Sequence, residues 1–154
     1  MALVLPAARH EPRRPKTAMQ MPILFRERPR PVQIALGGAV PLAVGAVVGV
    51  MLGISAGAYW GLSALAALGG MLAGFEHQDG WGGADRGLVG GALFGLGVLL
   101  AHAIAGTHAK VSLGGFPPLV IVIDAIFGMF AGALGGRAAR YLRQRASIVD
   151  DRPG

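Results

Sequence analysis

Two residues stand where ionisable side chains are rarest. Asp124 lies in "VIVIDAIFG" and His102 in "LLAHAIAG", both otherwise apolar runs. A carboxylate and an imidazole within apolar helices can relay a proton or hold an ion. The competing reading is a polar clasp joining two helices, worth about 1–2 kcal/mol at most. His108 and Lys110, in the adjoining loop, compete as partners for either group.

The remaining polar residues suggest less chemistry. Glu76 and Asp79, three residues apart in "EHQDGWGGADR", present oxygens that could touch a cation. In a glycine-rich, solvated segment such oxygens are ordinary loop groups, and so are His77, Asp85 and Arg86. Ser55 and Ser63 have no base placed near them, so nucleophilic catalysis has no support. "GWGGADRG" fails the dinucleotide fingerprint, because Asp85 stands where its third glycine belongs. Cysteine is absent, which excludes disulfides, thiol chemistry and cysteine-ligated metals. The expectation is a protein that is not an enzyme, with no cofactor and no metal.

Composition sets the solvent in which these residues work. Of 154 residues, 53% are hydrophobic and 14% charged, and the mean hydropathy is +0.56. Soluble domains carry about 25% charged residues. No charge occurs between Val32 and Phe75. One helix of that length would run about 66 Å, against a hydrocarbon core of about 30 Å. The segment must reverse, and "GISAG", Gly53 to Gly57, is its weakest helical point.

Spans are therefore expected at about 33–52, 57–75, 88–105 and 119–136, within a transmembrane domain covering 32–145. Glu76 to Arg86 reads as a loop, and "GTHAKVSLGGFPP" as another. Residues 1–31 are basic and proline-rich and read as a disordered tail, and residues 146–154 as a short C-terminal tail. Met19 and Met21 are further candidate starts. Asp124 falls about 9 Å into the fourth span. With His102 near the end of the third, both are expected at similar depth, within reach of each other.

Charge supplies the orientation. Seven of the fourteen basic residues lie in the first 30 positions and five after residue 136, against Lys110 alone in the 106–118 loop. Positive residues stay inside, so both termini read as cytoplasmic. Tyr59 and Trp60 then mark the outer interface, and Trp81 and Tyr141 the inner one. Basic ends around apolar spans suit anionic lipid headgroups rather than nucleic acid. The dominance of Arg, Ala and Gly suggests a bacterial plasma membrane. The fold class is thus an all-α integral membrane protein, with four transmembrane helices as two tandem hairpins. A faint repeat agrees with this: "GGAVPLAVG" from Gly37 resembles "GGALFGLGV" from Gly90, and "GGMLAG" from Gly69 resembles "FGMFAG" from Phe127.

Twenty-six glycines remain to be explained. Many recur at spacings of four: Gly45, Gly49, Gly53, Gly57 and Gly61; Gly70 and Gly74; Gly83, Gly87, Gly91 and Gly95; Gly128, Gly132 and Gly136. In lipid, helices associate through close contact, and small residues four apart allow it. The first stripe crosses the reversal, so it reads as two short faces meeting in a tight hairpin. Pro41 must remove a backbone bond to the Gly37 carbonyl and kink the first span. Two functional expectations follow. One is a protein acting through glycine-stripe packing, as a homo-oligomer or an accessory subunit of a membrane-protein partner. The other is a small channel or proton-coupled transporter using Asp124 and His102.

Overall fold

The computed structural model describes residues 27–77 and 79–150, and among these the chain is helical with no strand. Four helices are long and apolar enough to cross a membrane. They are α1 (Arg30–Ile54), α2 (Ala56–Gly74), α3 (Gly80–Ala105) and α4 (Leu119–Asp150). They run alternately up and down. The first and last therefore bring the N- and C-terminal segments to one end, which also holds the α2–α3 connection. The tail expected over 1–31 falls largely outside the described residues. Arg28, however, belongs to the bundle and pairs with Glu76 at 2.6 Å.

The expected reversal at Gly53 to Gly57 is a single residue. Ser55 adopts extended backbone angles (φ −152°, ψ 125°), and its Oγ accepts the Ala58 N–H at 3.3 Å. A serine cap thus starts α2 as α1 ends. The opposite connection departs from expectation. Glu76 to Arg86 is not a loop throughout, because α3 begins at Gly80, eight residues before the expected 88. Asp79 Oδ1 accepts the Gly82 N–H at 2.8 Å and caps the helix. Three glycines in the first four residues argue against a helix in water. Here packing favours them, since a side chain at Gly83 would overlap the Gly132 backbone and one at Gly80 would crowd the Arg137 side chain. Packing overrides propensity. At the other end of α3, Gly106 closes the helix with φ 62°, a left-handed cap that suits glycine.

Pro41 follows a widened turn. The turn Ala35–Ala39 widens to π geometry, and the Val40 N–H bonds back to the Ala35 carbonyl. In that register the Leu36 carbonyl would need an N–H from residue 41, which is proline and has none. Arg86 of α3 supplies the missing donor, with Nη2 at 2.7 Å from the Leu36 oxygen. The proline is absorbed by a π turn and an inter-helix hydrogen bond.

Helix α3 is the centre of the bundle. One face meets α4 in an antiparallel seam. Added Cβ atoms would overlap backbone at Gly83 against Gly132, Gly87 against Gly128 and Gly91 against Asp124. The other face meets α1, running parallel to it. Gly45 lies on the Phe94 carbonyl, Gly49 on that of Val98, and Gly97 on that of Leu42. Val48, Leu52 and Val98 are fully buried at this contact, flanked by Tyr59, Leu62 and Phe94. The 106–118 loop folds over the end. Val111 and Leu113 pack on the same cluster, and the Lys110 N–H bonds to the Leu52 carbonyl at 2.8 Å. That bond satisfies one of the carbonyls a helix C-terminus leaves open.

Candidate functional site

Asp124 sits inside the α3–α4 seam. It continues the α4 stripe of Gly128, Gly132 and Gly136 by one step of four, in the place of another small residue. Gly95 makes the room. A Cβ there would lie 2.9 Å from Asp124 Oδ2 and 2.9 Å from the Ile121 Cα. The side chain is half-buried, and among the described residues no hydrogen bond or ion pair reaches its carboxylate. The Tyr59 phenol of α2 is within electrostatic reach. Ser63 follows Tyr59 by one turn on the same helix. Its hydroxyl is buried without a hydrogen-bond partner among the described residues.

His102 is not brought to Asp124. The antiparallel register sets Asp124 against Gly91 and Gly95, and His102 lies seven residues beyond Gly95. That is about 10 Å of helix rise, too far for a direct pair. The expectation of equal depth counted residues from each helix end. Helix α4 instead begins level with Leu96, about two turns short of the end of α3. His102 lines an open cleft of about 480 Å³ beneath that loop, together with Leu99, Val111, Leu113, Pro117 and Pro118. Its Nδ1 is buried without a partner among the described residues.

The glycines divide into two groups. Gly45 and Gly49 face α3, and Gly53 faces Thr107 of the loop, so the first stripe does not close a hairpin against α2. Gly87, Gly91, Gly95, Gly128 and Gly132 form the seam, Gly136 rests on Asp79 and Gly80, and Gly74 rests on Gly132. Gly61 and Gly70 have open space where a side chain would go, and Gly57 meets only Ser55 of its own turn. The stripe in α2 is therefore unfilled within the chain. Spacing alone could not separate the groups, because each helix has several faces and only the register selects one.

The end carrying the α2–α3 connection is polar and knit together. Besides the Arg28–Glu76 pair, Arg143 Nη1 and Nη2 donate to the His77 and Phe75 carbonyls at 3.2 and 3.1 Å. The guanidinium thus satisfies carbonyls where α2 ends. Arg145 stacks on Tyr141, 4.6 Å from the ring centroid. Among the described residues no group of three or more His, Asp or Glu is placed to hold a metal. Sequence reasoning passed over two residues that matter. Tyr59 was readable only as an interface aromatic, and Arg86 only as a loop charge. Pro41 was the available signal for Arg86, since an intrahelical proline always leaves a carbonyl in need of a donor. No family model, no curated protein and no solved structure matches this chain.

Proposed function

We propose that this chain is a plasma-membrane protein of four spans that acts through helix association, as a homo-oligomer or as an accessory subunit of another membrane protein. Helix α2 is the surface it offers. The observation carrying this reading is that α3 is packed on two faces while α2 has one buried residue, Gly74, at its end. Gly57 and Gly61 stand open beside exposed Trp60, Leu65 and Leu68. In lipid an open small-residue face is suited to a second helix.

Gly61→Leu tests it. An added Cβ there has no neighbour within 4 Å, so the fold is expected to survive. Crosslinked oligomer or co-purified partner should fall at least about tenfold, a loss of about 1.4 kcal/mol in association. Undiminished assembly with Gly61→Leu would remove α2 as the interface.

Both tails are placed in the cytoplasm, with the exposed Arg137, Arg140 and Arg145 against anionic headgroups. The chain has no cysteine, so introduced thiols report topology cleanly. In intact cells Lys110→Cys should react with an impermeant maleimide, and Trp81→Cys and Ser147→Cys should not. The reverse pattern would invert the orientation.

A second reading is favoured by one observation: among the described residues the Asp124 carboxylate stands in the seam without a hydrogen-bond or ion-pair partner. An intramembrane ionisable group is a functional site by default. In this reading the protein is a small channel or proton-coupled carrier with Asp124 as its protonated group. His102 serves the cleft rather than the carboxylate. Proton-dependent flux in liposomes that is lost in Asp124→Asn supports it, and unchanged flux removes it.

A further inference from the structure

We propose that the open cleft between α1 and α3, at the arginine-rich end, binds one phospholipid with a primary-ammonium headgroup, its phosphate on Arg86 and its ammonium on Asp85. Such a site requires that the chain lie in a bilayer. It requires nothing of the α2 face or of Asp124.

The cleft exists because two helices part. Where α1 and α3 pack closest, added Cβ atoms at Gly45 and Gly49 would overlap the Phe94 and Val98 carbonyls. Toward the arginine-rich end the fit loosens. A Cβ at Gly90 would meet only the Pro41 side chain, at 3.8 Å, and one at Gly38 only Leu93 Cδ1, at 4.0 Å. Further out, the widened turn Ala35–Ala39 and the first turns of α3 flank an open cleft of about 490 Å³. Arg86 lines it and reaches across to the Leu36 carbonyl.

The lining has the order of a phospholipid. Ile34 and Val89 are apolar and exposed, and Val89 stands about 4.5 Å deeper along α3 than Arg86. They suit the start of an acyl chain. The lining also holds one guanidinium and one carboxylate, Arg86 and Asp85. Trp81, 80% exposed and one turn before Asp85, sets this level near the headgroups. His77 and Gly82 line the cleft at the end nearest water.

Charge chooses the headgroup. A guanidinium presents five N–H donors in a planar fork that fits phosphate, and the Leu36 carbonyl takes one of them. The neighbouring Arg28 and Glu76 form an ion pair of their own. Asp85 is exposed, and among the described residues no hydrogen bond or ion pair reaches its carboxylate. A carboxylate beside the phosphate position repels a headgroup whose only charge is negative. It attracts one that ends in an ammonium. A primary ammonium also donates up to three hydrogen bonds, and a trimethylammonium has no N–H to donate. The cleft therefore fits an ethanolamine headgroup better than a glycerol or a choline one.

For the test, the full chain in mild detergent is offered equal amounts of phosphatidylethanolamine, phosphatidylcholine and phosphatidylglycerol with the same acyl chains. Native mass spectrometry resolves the bound lipids by mass. The ethanolamine lipid should be retained about fivefold over either competitor, the upper range for an exposed charge pair. Asp85→Asn should bring the three within about twofold of one another. Asp85→Lys should place the glycerol lipid first. Both change an exposed side chain, so circular dichroism should match the parent. Gly61→Leu should keep the parent's preference, which separates this site from assembly through α2. Equal retention of all three lipids by the parent, or a preference for the glycerol lipid, overturns the site. A preference that survives in Asp85→Asn, or is lost in Gly61→Leu, overturns the cleft as its seat. Equal retention of the ethanolamine and choline lipids overturns the hydrogen-bonded ammonium.

Discussion

Gly87→Leu is expected to leave no folded bundle, whereas Gly61→Leu folds as the parent does. Both change a stripe glycine to leucine in a helix, so propensity predicts the same small effect for each. Position separates them. A first side-chain atom at Gly87 would overlap the Gly128 carbonyl, and at Gly61 it meets nothing. The overlap is with backbone, which has no rotamer to change, so α3 and α4 must move apart. Neighbouring contacts at Gly83 and Gly91 would go with them, because two rigid helices separate along their length. Overpacking ordinarily costs about 1–3 kcal/mol, and more where nothing can yield. Gly87→Ala should therefore lose about 2–3 kcal/mol and Gly87→Leu the whole fold. Unfolding of the purified protein by increasing SDS in mixed micelles, followed by circular dichroism, measures both. A Gly87→Leu variant as stable as Gly61→Leu would show that the seam is not a direct backbone contact.

The second large effect is a coupling. Arg86→Met removes the donor to the Leu36 carbonyl and should cost about 2 kcal/mol, the range for a hydrogen bond from a charged group to a half-buried acceptor. Taken alone the loss is ambiguous, because Glu76 and Arg28 are also electrostatic neighbours of Arg86. Pro41→Ala resolves it. An alanine at 41 restores the backbone N–H that position 36 lacks, so Arg86 is no longer needed there. In that background Arg86→Met should cost at least about 1 kcal/mol less. The same SDS titration over the four proteins gives the coupling. Strict additivity would mean that the arginine is held for its other contacts and not for the proline's missing donor.

Much of the architecture follows from elementary arithmetic on the chain. A charge-free run from Val32 to Phe75 is too long for one crossing, so a reversal is required, and Ser55 supplies it. Pro117 and Pro118 precede a helix that begins at Leu119. The start of α3 was obscured because Gly80, Gly82 and Gly83 look like loop residues until a neighbour is present to press against them. The site was half legible. An aspartate among valines and isoleucines marks itself, whereas Tyr59 becomes relevant only when α2 is laid beside α4.

Local information therefore determined the number of helices, their approximate limits, the one reversal and the carboxyl set in an otherwise apolar run. Each depends on distances along the chain, on hydration cost or on a backbone donor, which a sequence states directly. Tertiary structure decided three further things. It matched the glycines of α1 to α3 rather than α2, it set Asp124 at Gly95 rather than at His102, and it gave Arg86 to the Leu36 carbonyl. The reason is the same in each case. Every glycine-bearing helix has more than one face that could pack, and shifting two helices by one turn exchanges every pair between them. Only the simultaneous fit of all four helices selects a face and a register.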